Sequence, residues 1–268
     1  MRISIHITSR DRLTEILLLL QSLRTQTYQE FDIFILDDAS GTPYQIDHKF
    51  NCLIVLLKQE GHYIKVIRNN QSNGVCYARN LLITNDTLNN PLTFRCDDDV
   101  ILERDYIEKL LKVIDNGYDI ATGVVPTILA PVFERETKFV MPVISRIGFN
   151  KDGEMDYIGD DLGFQYLEEV ILPSHHFRTN ALYKSEINKK ISYEKGLSPV
   201  GFREESFFSL RSLWQGYKIG VNTSAIAYHI KSPSGGCRNP NYQELIQLDD
   251  MQFRLWAKNQ FKKRGNPT

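Results

Sequence analysis

The chain has 268 residues, enough to bury a sizeable core as one large domain or two small ones. Its 32 basic and 33 acidic side chains almost cancel, which counts against a nucleic-acid binder, whose phosphate contacts call for a basic excess or patch. The longest aliphatic run, Ile16 to Leu20, is far too short to span a bilayer, and the opening residues lack a secretory leader's apolar stretch, so a cytoplasmic location is expected.

In chain order, residues 2–7 (RISIHI) read as a strand, and Leu13, Ile16, Leu17, Leu20 and Leu23 then recur at helical spacing. Residues 31–36 (FDIFIL) form a second strand that runs into Asp37 and Asp38. A helix is expected over 44–59, a strand over 63–68, a helix over 74–83 and a strand over 91–96. Strands alternating with helices imply βαβ units around a mostly parallel sheet, whose ligands bind beyond the carboxyl ends of the strands. Thr8, Asp38, the loop before Gly74 and Asp97 to Asp99 all fall at that edge.

The pattern then loosens. A helix is expected over 105–116, with Ile107, Leu110, Leu111 and Ile114 as its buried stripe, and a strand over 119–125. Residues 126–173 carry Pro, Gly and aromatics without sustained periodicity and read as a loop-rich region that shapes a second pocket. Further on come a strand over 177–184, a helix over 203–216 stopped by Gly216, and a strand pair or bend over 218–230. Residues 231–241 (KSPSGGCRNPN) are a flexible loop by composition, and 242–265 read as a closing amphipathic helix. Four scattered cysteines without C-x-x-C spacing point to reduced thiols and away from a zinc site or a disulfide framework. The expected divisions are 1–104, 105–230 and 231–268, the last holding the flexible loop and the closing helix.

Several residues carry chemistry of their own. Hard divalent cations take oxygen ligands, and on an extended backbone Asp97 and Asp99 would project to one side with Asp98 pointing away. The same aspartates suit a solvated turn that caps the next helix. Asp38 ends an apolar strand, where it suits a sugar hydroxyl or a plain polar turn. Arg79 lies a turn and a half into the helix opened by Gly74, within reach of a pyrophosphate or a nearby carboxylate. Glu204 and Glu205 open a helix whose dipole favours anions, so either can serve as a general base. His229 ends an apolar stretch before the mobile loop, where it suits a metal ligand or a structural role. Lys262, Lys263 and Arg264 follow Trp256 and Phe261. They read first as a solvated basic end, and second as a peripheral contact with an acidic membrane face.

The order and spacing of these motifs resemble family 2 glycosyltransferases of the GT-A fold. Thr8-Ser9, Ser22-Leu23 through Gln26-Thr27, and Asp37-Asp38-Ala39-Ser40 are similar to the family's opening. Asn73, Gly74, Ala78, Arg79 and Asn80 look like its Asn-x-Gly-x-x-x-Ala-Arg-Asn, and CDDDV occupies the place of its Asp-x-Asp. The Glu204-Glu205 helix and the strand, His229 and glycine-bearing loop follow in the family's order. The resemblance implies an α/β GT-A domain, with a Rossmann-like N-terminal half and a smaller mixed sheet on the acceptor side. It implies inverting transfer from a UDP-sugar to a glycan or lipid-linked acceptor in polysaccharide synthesis. Thr8, Arg10 or Arg12, Asp38, Arg79, Asp97 and Asp98 would bind the donor; Asp99 and His229 would hold Mn2+ or Mg2+. Glu205 would be the base, with Glu204 as its rival because the family usually has Asp second. A sugar nucleotidyltransferase and a non-catalytic nucleotide-sugar module are the competing readings. The first would need an early Gly-rich phosphate loop, and "ITSRDRLTE" contains no glycine.

Overall fold

The computed structural model of the chain describes residues 1–125, 144–160 and 169–267. Strands and helices alternate through the first third: β1 (Ile3–Ser9), α1 (Leu13–Arg24), β2 (Phe31–Asp37), α2 (His48–Gln59), β3 (Ile64–Arg68), α3 (Val75–Asn85) and β4 (Leu92–Asp97). β5 (Val100–Leu102), α4 (Tyr106–Asp115), β6 (Ile120–Val124), β7 (Ile144–Phe149), β8 (Met155–Asp160), β9 (Ile171–Ser174) and β10 (Ala181–Lys184) follow. The order closes with α5 (Glu204–Leu213), β11 (Ile219–His229) and α6 (Tyr242–Arg264).

Among the described residues one sheet runs β3-β2-β1-β4-β10-β6-β11-β5, with β9 along β11 and a separate β7–β8 hairpin. β3, β2, β1 and β4 are parallel, and their register puts Thr8 beside Leu36 on one side and Asp97 on the other. The carboxyl ends of these strands therefore form one straight rim. All seven residues of β2 are buried because both faces of the sheet are covered. Ile33 and Ile35 join the core with α1 and α2, while Phe34 and Leu36 meet Ala78 and Leu82 of α3. Each fully buried side chain of this kind contributes about 1.5–3 kcal/mol. The mixed half joins through β10, which is antiparallel to both β4 and β6.

Several expected boundaries move for local reasons. The segment expected as one helix from residue 44 is a 3-10 turn, Tyr44–Ile46, and then α2, because Asp47 caps the amide of Phe50 at 2.9 Å. The strand expected from 177 begins at Ala181, after Thr179 takes a left-handed φ of 59°. Residues 218–230 hold a single strand with a register shift between Val221 and Ile226, which lets its far half pair with β5. Within the region read as loop-rich lie β7, β8 and β9; residues 126–143 and 161–168 fall outside the described residues. On α6, Trp256 packs on Phe207 with ring centroids 4.6 Å apart and Phe261 stacks on Phe149 at 4.8 Å. These rings fasten the helix to the body, so they do not form the outward aromatic surface of the membrane-contact reading. Among the described residues no helix is long and apolar enough to cross a membrane.

Candidate active site

Thr8, Arg10, Asp38, Arg79, Asp97, Asp98, Asp99, Glu204, Glu205 and His229 all line one cavity of about 270 Å3 at the strand-end rim. Two helix N-termini meet there. Gly74, at φ 92°, leads into α3, and a Cβ on it would lie 2.6 Å from Pro199 Cα. Gly201 abuts Val75 in turn, and the Val75 amide donates to the Pro199 carbonyl at 3.3 Å. This close approach sets α3 against the start of α5, where Arg203 takes a left-handed φ of 73° just before Glu204 and Glu205.

Behind the mouth sits a buried charge cluster. Arg95 of β4 shares a strand face with Asp97, two residues on, and its side chain is only 2% exposed. Its Nη2 reaches both Glu204 and Glu205, the latter at 3.0 Å. The guanidinium carbon lies 5.5 Å from the ring centre of Phe177 and 5.8 Å from that of Tyr193. Arg79 is drawn into the same cluster. Its Nη2 donates to Asp97 at 2.7 Å and its Nε lies 3.2 Å from Glu204. Among the described residues its bonds go to carboxylates, and it also lines the cavity.

Two guanidiniums therefore face three carboxylates, which leaves one carboxylate without a countercharge. Burial settles which one. Glu204, with 5% of its side chain exposed, is pushed up to about 8 by desolvation against the pull of Arg79 and Arg95, and its Oε2 has no hydrogen-bond partner among the described residues. Burial also pushes on Glu205, yet Arg95 and Arg79 hold it down at about 2, and 25% of its side chain faces the cavity.

The aspartate triplet departs from the alternation expected of a strand. Asp97 ends β4, but the chain turns at Asp98 and Asp99 before β5, so both turn toward Arg12. Asp98 does not point away. It accepts from Ser9 Oγ at 2.6 Å and from Arg12 Nη1 at 2.9 Å, and burial with the neighbouring Asp99 charge lifts it to about 6 against the pull of Arg12. Asp99 Oδ2 lies 3.0 Å from the same Arg12 atom, and its Oδ1 lies 3.2 Å from His229 Nε2. The β11–β5 pairing opposes His229 to Val100, which brings the imidazole to the turn. Asp37 is consumed by the turn after β2, accepting from the amides of Ser40 and Tyr44 and from Arg68. Asp38 is left at the rim, held by Asn69 and Ser72 at 2.6 Å each.

The loop expected to be flexible lies folded onto this rim. The Gly236 amide donates to the Arg10 carbonyl at 2.7 Å, Arg12 Nε to the Ser234 carbonyl at 3.1 Å, and the Ser232 amide to Asp99 at 3.3 Å. Arg238 lines the cavity, whereas Lys231 is exposed and is not among its lining residues.

A family model described as "Glycosyl transferase family 2" matches residues 4–192, well over half of the chain. The chain belongs to glycosyl transferase family 2. Among solved structures it is similar to GalNAc-T7 with UDP, GalNAc and Mn2+, with a TM-score of 0.66, 15% identity, and coverage of 94% of this chain and 49% of that one. It is also similar to S. aureus TarS 1-349 in complex with UDP-GlcNAc, with a TM-score of 0.60, 15% identity, and coverage of 94% and 66%. For the same TarS segment in complex with UDP the TM-score is 0.58 and the identity 17%, over 94% and 65%. At such identities the likeness shows the GT-A fold alone. The chain spans about half the length of GalNAc-T7 and just under two thirds of that TarS segment. No curated protein sequence matches it.

The family member carries residues that suit a divalent cation. Asp99 and His229, 3.2 Å apart, offer a carboxylate oxygen and an imidazole nitrogen, donors that would suit such an ion. Among the described residues no group of three or more His, Cys, Asp or Glu side chains converges on a metal position. An ion held by Asp99 and His229 would complete its shell with water and phosphate oxygens, the usual arrangement for Mg2+ sites. Sequence reasoning missed Arg95 and left Arg12 as an alternative to Arg10. One signal for Arg95 was present: a lone cation inside an apolar strand, in period-two step with Asp97.

Proposed function

We propose that this family 2 glycosyltransferase moves a sugar from a UDP-sugar to an acceptor hydroxyl with inversion, in glycan or polysaccharide synthesis, and that Glu205 is the base. One observation carries the choice: of the two cavity-lining glutamates, Glu205 is the more exposed, at 25% against 5%, and the one held ionised. Thr8 and Asp38 receive the nucleoside at the rim, Asp97 the ribose, and Arg10 and Arg238 flank the space left for the diphosphate. Asp99 and His229 hold the cation, and a mixed carboxylate–imidazole set favours Mn2+ over Mg2+. When bound, the cation neutralises charge on the leaving diphosphate.

The acceptor oxygen forms its bond to the anomeric carbon on the face opposite the diphosphate. The bond to the phosphate oxygen breaks and its electron pair leaves with UDP. The hydroxyl proton passes to Glu205. A carboxylate held this low is a weak base, so it takes the proton late, once the new bond has made the acceptor oxygen acidic. The folded loop keeps water from the anomeric carbon. UDP release measured across a panel of UDP-sugars with Mn2+ tests the reading. Glu205→Gln should lower turnover by about 10²–10⁴-fold with UDP binding intact. Full activity in that variant, with loss in Glu204→Gln, would transfer the role to Glu204. Calorimetry with UDP and Mn2+ should lose its metal dependence in Asp99→Ala.

A further inference from the structure

We infer that the groove along the outer face of α6 binds the distal residues of an extended saccharide acceptor; this rests on the transferase reading above. The groove holds about 600 Å3, inside the roughly 300–1,000 Å3 of small-molecule sites. It adjoins the reaction cavity: Phe202 lines both. Glu205 lies three positions beyond Phe202, so one short segment borders the groove at one end and carries the proposed base at the other.

The lining matches a sugar chain, which presents apolar C–H faces and hydroxyl edges in alternation. Phe202, Met251 and Leu255 offer apolar surface, and Gln247, Asp250 and Arg203 offer planar hydrogen-bonding groups among them. The polar groups are held in place. Asp250 accepts from Arg203 Nε and from Arg254 Nε, each at 2.7 Å. Met251 and Leu255 are 64% and 62% exposed. An anionic bilayer fits this face poorly. Its cations are ion-paired: Arg203 and Arg254 with Asp250, and Lys258 with Glu154.

Two consecutive aspartates of α6 tie the groove to the base. Asp249 turns inward and accepts from the amides of Ser198 and Phe202 at 2.7 and 2.8 Å, while Asp250 turns outward to Arg203. The segment carrying Phe202 is thereby pinned to the helix that forms the groove floor, immediately before Glu204 and Glu205.

The test uses the UDP-sugar that the chain hydrolyses fastest, with acceptors from monosaccharide to tetrasaccharide of one glycan series. Wild-type kcat/KM should rise with acceptor length by about tenfold, the size of one good ring or apolar contact. Met251→Arg with Leu255→Arg, both on exposed positions, should flatten that rise and leave acceptor-free UDP-sugar hydrolysis unchanged. Length-independent kinetics in the wild type, or an undiminished rise in the variant, would overturn the inference. So would phosphatidylserine vesicle binding or self-association that the double variant abolishes, since either gives the face another occupant. Absence of any UDP-sugar turnover would instead bring down the transferase reading, and this inference with it.

Discussion

Arg95→Met removes the buried cation that Glu204 and Glu205 share, and its consequences can be worked from the cluster. Glu205 is held near 2 although burial pushes it up, against an ordinary value of 4.5. That difference is worth about 3 kcal/mol of folding free energy. The group's folded value is depressed, so this stability is fully present above pH 4.5 and is lost as pH falls toward 2. In Arg95→Met, Arg79 alone must serve Glu204, Asp97 and Glu205, and desolvation then raises Glu205 above its ordinary value. Stranding a buried charge costs about 3–5 kcal/mol, or about 5–10 °C in Tm for a domain of this size. Thermal unfolding at pH 7 and UDP release across pH 4–8 read the two effects separately. The variant should melt lower, and at saturating Mn2+ its turnover should fall on the acid side at a higher pH than the wild type's. Arg95→Lys, which keeps the charge without the fork, should fall between them. An unmoved acid limb in Arg95→Met, or a Tm within about 1 °C of wild type, would refute the claim that Arg95 keeps the base ionised.

Asp249→Ala leaves the half-buried amides of Ser198 and Phe202 without their acceptor, at about 1 kcal/mol each, and should lower both Tm and kcat by loosening the segment that places Glu205; Asp249→Asn should recover only part of either. Gly235→Ala puts a Cβ 2.6 Å from the Asp11 carbonyl at a φ of 69°, so the loop should fail to seat. Acceptor-free hydrolysis should rise relative to transfer, measured as the ratio of UDP released to product formed. Burial works against a charged His229, but its bond to Asp99 holds it above the ordinary 6.5. Metal binding needs the neutral ring, so Mn2+ affinity in the presence of UDP should increase with pH, with proton release visible by calorimetry in buffers of different ionisation enthalpy.

Most of the residues readable from sequence share one property: they sit where an element begins or ends. Thr8, Asp38 and Asp97 close strands, Glu204 and Glu205 open a helix, and His229 finishes β11. Polar groups at such places interrupt an apolar pattern and show themselves. The parallel half of the sheet was readable for the same reason, since its strands are short apolar runs punctuated by turns. The mixed half was harder to read. β5 and β10 are three and four residues long and owe their existence to partners far along the chain, β11 and β4. The register shift in β11 that carries its end to β5 leaves no local mark. The cations were harder still. Arg12 lies just ahead of α1 and turns back under the rim, and Arg95 is surrounded by core on both faces of a central strand. Yet these two decide the charge of the carboxylates that the motifs name. Asp98 shows the difference. By sequence it was the aspartate of the triplet expected to point away from the other two; in the fold it and Asp99 share Arg12, which also bonds the Ser234 carbonyl. Asp99, the turn and the loop folded over the rim thus meet on one guanidinium, so a charge change at Arg12 must reach all three together.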